Sequence, residues 1–410
     1  MTPPAQGVRG GLGWVVLATA VAGILGYAVQ VLAPALLVDR GTYIAFSVLW
    51  SAVYLCGSAM SGVQQEISRA VHPALERIVD SPLRSFTWGA GIVAVLIGLL
   101  TGAGLALSVV PGDLMALSGA VGIALVGYLI TTVLTGVLYG LALWRQVAAL
   151  VILDATLRAA ALTLAFAFQM PIEVLALVIS FPFVLAPAAV WLIVRSRITG
   201  GHILDVSFME LVGNILRTVA AAACMGAMIS GLPLLIGLTK GSSAEAVLGA
   251  VILAITLTRA PIVVPVIALQ SFLISAIFRG RPHPAPRIVV RLLLLALVGI
   301  VVLAGLASLI GPWIIQLVSA GRFEVSPGMM AIIVLSGGLV AIMCISGPAL
   351  IAARRHTANL IGWAVAAALT MLCLLFPLEI LLKVSIAIVV PAIAGISVHL
   401  VSLLRRTGTA

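Results

Sequence analysis

Apolar runs of membrane-spanning length recur along this chain from end to end. Twelve can be marked, at residues 12–37, 43–67, 86–110, 114–142, 147–168, 172–194, 209–237, 246–278, 289–317, 329–352, 358–377 and 380–403. Each has about the 17–25 residues a helix needs to cross the hydrocarbon core of a bilayer, or somewhat more. The connections between them are short. The pattern predicts an all-α polytopic membrane protein of about 12 transmembrane helices. The first run is longer than the roughly 7–15 apolar residues of a signal peptide, so it reads as the first transmembrane helix.

The polar residues that interrupt the runs are the next signal. A charge at the bilayer centre costs at least about 2.5–3.5 kcal/mol on insertion scales, so it is expected to face a partner or a wet cavity. Arg259 lies deep in the eighth run with no acidic residue within a helical turn. It reads as a cavity cation or as half of a buried ion pair with another helix. Arg217, beside Asn214, lies about a third of the way into the seventh run, from where it can face the cavity or snorkel to the surface. Asp154 and Arg158 are four residues apart and share a helix face. They form either a self-neutralising pair or one that substrate or a proton breaks. The second run ends in "SGVQQEISRA" (61–70), where Gln64, Gln65, Glu66 and Arg69 arrive together. They make either a hydrogen-bonding lip for a polar headgroup or an interfacial cap.

Internal symmetry sharpens this. The first run ends "PALLVDRG" (34–41) and the seventh "PLLIGLTKG" (233–241), and "GVQQ" (62–65) is echoed by "IALQ" (267–270) one run later. Gln270 therefore stands where Gln65 does. Long basic connections follow the second and eighth runs. Two parallel six-helix halves are expected, 1–200 and 201–410, with Pro34 and Pro233 near the outer ends of matched helices. Pro261 and Pro265 are expected to bend the eighth.

Only 8% of the 410 residues are charged, yet the net charge is +10. With twelve spans, fifteen arginines fall on the side shared by the termini and the even-numbered connections, against Arg40, Lys240, Arg322 and Lys383 opposite. The positive-inside rule then places both termini in the cytoplasm. The charge is thereby explained by topology and contact with anionic membrane lipids, with no nucleic-acid partner. The four cysteines lie inside runs without metal-ligand spacing, and no phosphate loop or HExxH motif occurs. No catalytic residue, metal or cofactor is expected, and the protein is not read as an enzyme.

Three features together, the two six-span halves, the end of the second run and "GVLYGLALWRQVAALVILDATLRAAAL" (136–162), resemble the O-antigen-type polysaccharide and oligosaccharide flippases. These belong to the multidrug/oligosaccharidyl-lipid/polysaccharide superfamily. "LTRAPIVVPVIALQ" (257–270) looks like that family's eighth span. The resemblance implies two pseudo-symmetric bundles around a central cavity lined by spans 1, 2, 7 and 8. It implies alternating access that moves a lipid-linked glycan to the outer leaflet of a bacterial cytoplasmic membrane. The expected contacts to an anionic, hydroxylated head are Arg259, Arg217, Gln64, Gln65, Gln270 and Asn214, with Tyr27, Gln30, Trp50 and Tyr54 on its sugars. Glu66, Arg69 and the four prolines are placed at the entrance or in moving parts. Glycosyltransferases or a polymerase of the same pathway are the expected protein partners of a monomer. The rivals are a cation-coupled drug or metabolite antiporter using Asp154 as its carboxylate, and a scaffold of a glycan-synthesis complex.

Overall fold

The computed structural model describes residues 6–73, 82–198, 202–239, 245–278, 286–352 and 355–404. The first part comprises α1 (Gln6–Leu36), α2 (Arg40–Ala70), β1 (Val71–Pro73), α3 (Pro82–Ser108), α4 (Leu114–Gly140), α5 (Trp144–Ala167), α6 (Ile172–Ser180), α7 (Pro182–Ile198), β2 (His202–Leu204) and α8 (Phe208–Ile229). Then follow α9 (Leu232–Leu238), α10 (Glu245–Phe278), α11 (Pro286–Val318), α12 (Pro327–Ala352), α13 (His356–Leu375) and α14 (Ile380–Leu404). Among the described residues, twelve stretches of helix are long and apolar enough to cross a membrane. The protein is an all-α multi-pass membrane protein, as its hydropathy predicts.

Two spans are not single helices. The sixth is interrupted at Phe181, because Pro182 has no N–H to give the preceding turn. Phe181 keeps helical dihedrals of −59° and −40°, so α7 continues the path of α6. The seventh stops outright at Ser230 and Gly231 and restarts with Pro233 in the first turn of α9. A proline there has the φ a helix start requires, so Pro233 begins a new helix where the sequence suggested a bend. The eighth span, α10, stays helical through Pro261 and Pro265.

The chain divides into two compact units, Met1–Gly226 and Ala227–Ala410. The expected division was at residue 200; Asn214, Thr218 and Gly226 of α8 lie against α2. Within the first unit α4 is central, packing on α2, α3, α6 and α7, while α1 lies against α5 and α5 against α7. Within the second, α12 takes the place of α4, packing on α10, α11 and α14, with α13 against α14 and α9. Six spans apart, the same pairings recur. In lipid no hydrophobic drive joins two helices, so close backbone approach has to supply dispersion. Gly98 and Gly102 of α3 provide it. A Cβ on them would lie 2.6 Å from Gly122 Cα and 2.5 Å from Ser118 Cα on α4.

One element was not expected. β1 and β2 pair antiparallel, Val71 opposite Leu204 and Pro73 opposite His202. The connections after spans 2 and 6 therefore meet at one end of the first unit. Trp14 of α1 lies under the Arg145 guanidinium at 5.7 Å, which brings the start of the chain and the 4–5 connection together as well.

Candidate functional site

The first unit holds an ion pair inside a span. Arg158 Nη2 lies 2.5 Å from Asp154 Oδ1, one helical turn away on α5. Its Nη1 donates to the Tyr54 hydroxyl at 2.9 Å, and its Nε donates to the Ile179 carbonyl at 3.3 Å. The guanidinium also rests on the Phe183 ring, 3.9 Å from its centroid. Every face of the cation is thus answered, and Arg158 is only 6% exposed. Asp154 is the more open partner, with 17% of its side chain accessible against 7%. Ile179 lies in the last turn of α6, where helix carbonyls lose their intrahelical donors and carry the negative end of the dipole.

Trp50 and Tyr54, expected to stack on sugars, stack on each other instead, with centroids 4.4 Å apart at 22°. Phe46 tilts against Trp50 at 5.7 Å, and Phe183 lies edge-on to Tyr54 at 6.5 Å. These rings are part of the packing around Arg158. On α1, Tyr27 is half-buried, while Gln30 and Pro34 are buried. The Gln30 amide nitrogen has no hydrogen-bond partner.

The polar end of α2 is a clamp. Glu66, 5% exposed, receives two bonds from Arg69, at 2.6 and 3.0 Å. Asn214 Nδ2 on α8 donates to Glu66 Oε1 at 2.9 Å, and Arg69 Nη1 reaches Asp205, just beyond β2, at 3.2 Å. Four residues further along α8, the Thr218 hydroxyl donates to the Gly62 carbonyl at 2.9 Å. Gly62 has to be a glycine here, since a Cβ would lie 2.5 Å from the Thr218 backbone. Glu66 and Arg69 therefore bind α2 to α8 and the ribbon. Of the glutamines expected to form a lip, Gln65 is exposed and Gln64 half-buried.

Arg217, also on α8, is exposed and takes part in no ion pair among the described residues. It lies nine positions after Phe208, or about 14 Å along the helix at 1.5 Å per residue.

In the second unit Arg259 is 3% exposed. It has no ion pair among the described residues, so the second of the two expected settings is not found. Its Nη1 donates to the Met228 carbonyl, its Nη2 lies 3.5 Å from Ser336 Oγ, and its Nε has no partner. Met228 lies in the last turn of α8, ahead of the break before Pro233. Two deep arginines thus use one device. Each donates to a carbonyl in the final turn of a helical segment, beside Asp154 at Arg158 and, at Arg259, with the dipole partly in place of a carboxylate. Nothing in the spacing of Arg158 or Arg259 pointed to those acceptors. Pro261 is exposed, and the side chains of Pro265 and Gln270 lie outside the described residues. Among the described residues no group of three or more His, Cys, Asp or Glu is placed to hold a metal.

No family model matches the chain. An uncharacterized protein of Mycobacterium bovis is 31% identical over 406 residues, covering 95% of this chain and 90% of its own. An uncharacterized protein of Mycobacterium tuberculosis is 27% identical over 414 residues, covering 97% and 92%. Among solved structures, an inward-facing multidrug-resistance MATE transporter of the MOP superfamily superposes with a TM-score of 0.64 at 13% identity, over 96% of this chain and 100% of that one. The lipid II flippase MurJ, in an inward closed conformation, gives 0.63 at 11% identity over 95% and 87%. At such identities the likeness is one of fold.

Proposed function

We propose that the chain, which belongs to the same family as the Mycobacterium bovis protein, is a flippase. Its substrate in this reading is a glycan on a polyprenyl phosphate or pyrophosphate, moved by alternating access from the cytoplasmic to the outer leaflet of a bacterial cytoplasmic membrane. Both termini are cytoplasmic, and the chain acts as a monomer beside the glycosyltransferases or polymerase of its pathway.

The observation that carries this reading is the sign of the deep charges. Among the described residues more than one helical turn inside the spans, Arg158, Arg217 and Arg259 stand against Asp154, and Arg158 is paired with it. Arg217 is the exposed one. A guanidinium bared to hydrocarbon is expensive, whereas one in a wet path is a ready partner for a phosphate. An inside-negative potential also favours outward movement of an anion, by about 2.3 kcal/mol per charge per 100 mV. A fold shared with a lipid II flippase supports the same class of cargo. Arg259 acts in this reading by holding the break in span 7, and Gln64 and Gln65 remain available at the end of α2 for the sugar hydroxyls.

In cells depleted of the protein, leaflet-resolved labelling of lipid-linked glycans tests the assignment. Precursors should accumulate on the cytoplasmic side. Wild-type protein and Arg217→Lys should restore export, and Arg217→Ala should not, at equal membrane abundance. Unchanged precursor distribution on depletion rejects the reading.

A further inference from the structure

The second unit contains a histidine that the proposed path does not use. Of five histidines, His399 is the one that falls inside a predicted span, and it is 0% exposed on α14. Its ring is held at both nitrogens. Ser346 Oγ of α12 lies 2.7 Å from Nδ1, and the Asn359 backbone oxygen of α13 lies 3.4 Å from Nε2. Trp363 stands edge-on to the ring at 6.4 Å. Gly362 gives the imidazole its room, and Gly347 lets the Asn359 side chain approach, since a Cβ there would lie 2.5 Å from Asn359 Oδ1. That buried oxygen has no donor.

We infer that His399, Ser346 and Asn359 form a proton-binding site. The Ser346 hydroxyl has two acceptors within reach, His399 Nδ1 and the Met343 carbonyl at 3.3 Å. With the ring neutral, the hydroxyl donates to Nδ1 and Nε2–H donates to Asn359 O. An incoming proton takes the Nδ1 lone pair. The new Nδ1–H then donates to Ser346 Oγ, whose hydrogen turns onto Met343 O. No bond between heavy atoms changes, and the site gains one positive charge. One hydroxyl rotation lets the same heavy-atom positions serve both states, and Asn359 Oδ1 offers a spare acceptor.

The groups facing the ring are Ser346 from α12 and Asn359, Gly362 and Trp363 from α13, none of them charged. The nearest charged residue along α13 is Arg355 at its N-cap. The His356 side chain lies outside the described residues. His399 is five residues from the end of α14, about 8 Å along the helix at 1.5 Å per residue. That proton uptake drives turnover rests on the transporter reading. That the ring takes up a proton does not.

The test is 15N NMR of histidine-labelled full-length protein in lipid bilayers, from about pH 8 to about pH 5, the range in which an imidazole titrates. The His399 signals, assigned by their loss in His399→Gln and their perturbation in Ser346→Ala, should pass from the Nε2–H tautomer to the imidazolium. Ser346→Ala should move the midpoint by at least about half a pH unit, because the switching hydroxyl is gone. A His399 that stays neutral throughout while the other histidines titrate overturns the proposal. Glycan-lipid movement is then measured across the same range. Its loss of pH dependence in His399→Gln supports coupling. If no glycan lipid moves in any protein, the flippase reading fails and the NMR midpoint still decides the site.

Discussion

A guanidinium buried in a membrane has to be met by acceptors, and Arg158 has all of them while Arg259 lacks one. Arg158 is held by Asp154, Tyr54, Ile179 and Phe183. Removing one partner of such a pair leaves the other charge stranded, which costs about 3–5 kcal/mol. Asp154→Ala should therefore lower the thermal stability of purified protein sharply. Asp154→Ala with Arg158→Met should recover most of that loss, because no charge is left unpaired. Equal melting temperatures for the single and double variants would contradict the pairing. At the start of α2 the exposed Asp39 accepts from Thr42 N at 2.7 Å, and that bond holds its carboxyl below the usual carboxylate range. A lowered pKa means that the cap stabilises at pH above the unfolded value and is lost as pH falls through the folded one. Asp39→Asn, which keeps the capping oxygen, should thus make stability less sensitive to acid in the carboxylate range. Comparison of melting temperatures at neutral and acid pH checks this. At this scale the sequence revealed which residues are polar and deep, and the i, i+4 spacing of Asp154 and Arg158. It did not reveal Ile179 or Met228 as acceptors, since a backbone carbonyl carries no sequence label.

Helices were legible where composition alone decides them. A hydrophobic run of 20 or so residues has to become a helix in lipid, because the backbone has no other partner. The interruption at Phe181 escaped notice because one turn lost to Pro182 leaves hydropathy unchanged. The β1–β2 ribbon escaped because each strand has three residues and its partner is more than a hundred positions away. Pairs of helices were legible only through small residues. Gly102→Leu should force α3 away from α4, where Ser118 now sits against it. The expected outcome is a large fall in folded yield and melting temperature, whereas Gly104→Leu, with open space around the glycine, should be tolerated. Similar losses for both would remove the close-packing account.

For the whole molecule, the two units repeat one pairing scheme, and α8 joins the first of them through the clamp of Glu66, Arg69 and Asn214. If the proposed alternating access separates α8 from α2, that clamp has to open. In a background without Cys56, Cys224, Cys344 and Cys373, Glu66→Cys and Asn214→Cys joined by a short reducible thiol linker should stop transport, and reduction should restore it. Transport at the wild-type rate in the bridged protein would show that α8 stays on α2 throughout.

The proposed cargo is an anionic glycan lipid. Purified protein in proteoliposomes, given a fluorescent polyprenyl-pyrophosphate glycan or a cationic drug, tests it most directly. The glycan lipid should change leaflet, an inside-negative potential should speed its outward movement, and Arg217→Ala should slow it by at least about tenfold, a change equivalent to about 1.4 kcal/mol. Movement of the drug alone, abolished by Asp154→Asn, would contradict it and make the protein an antiporter.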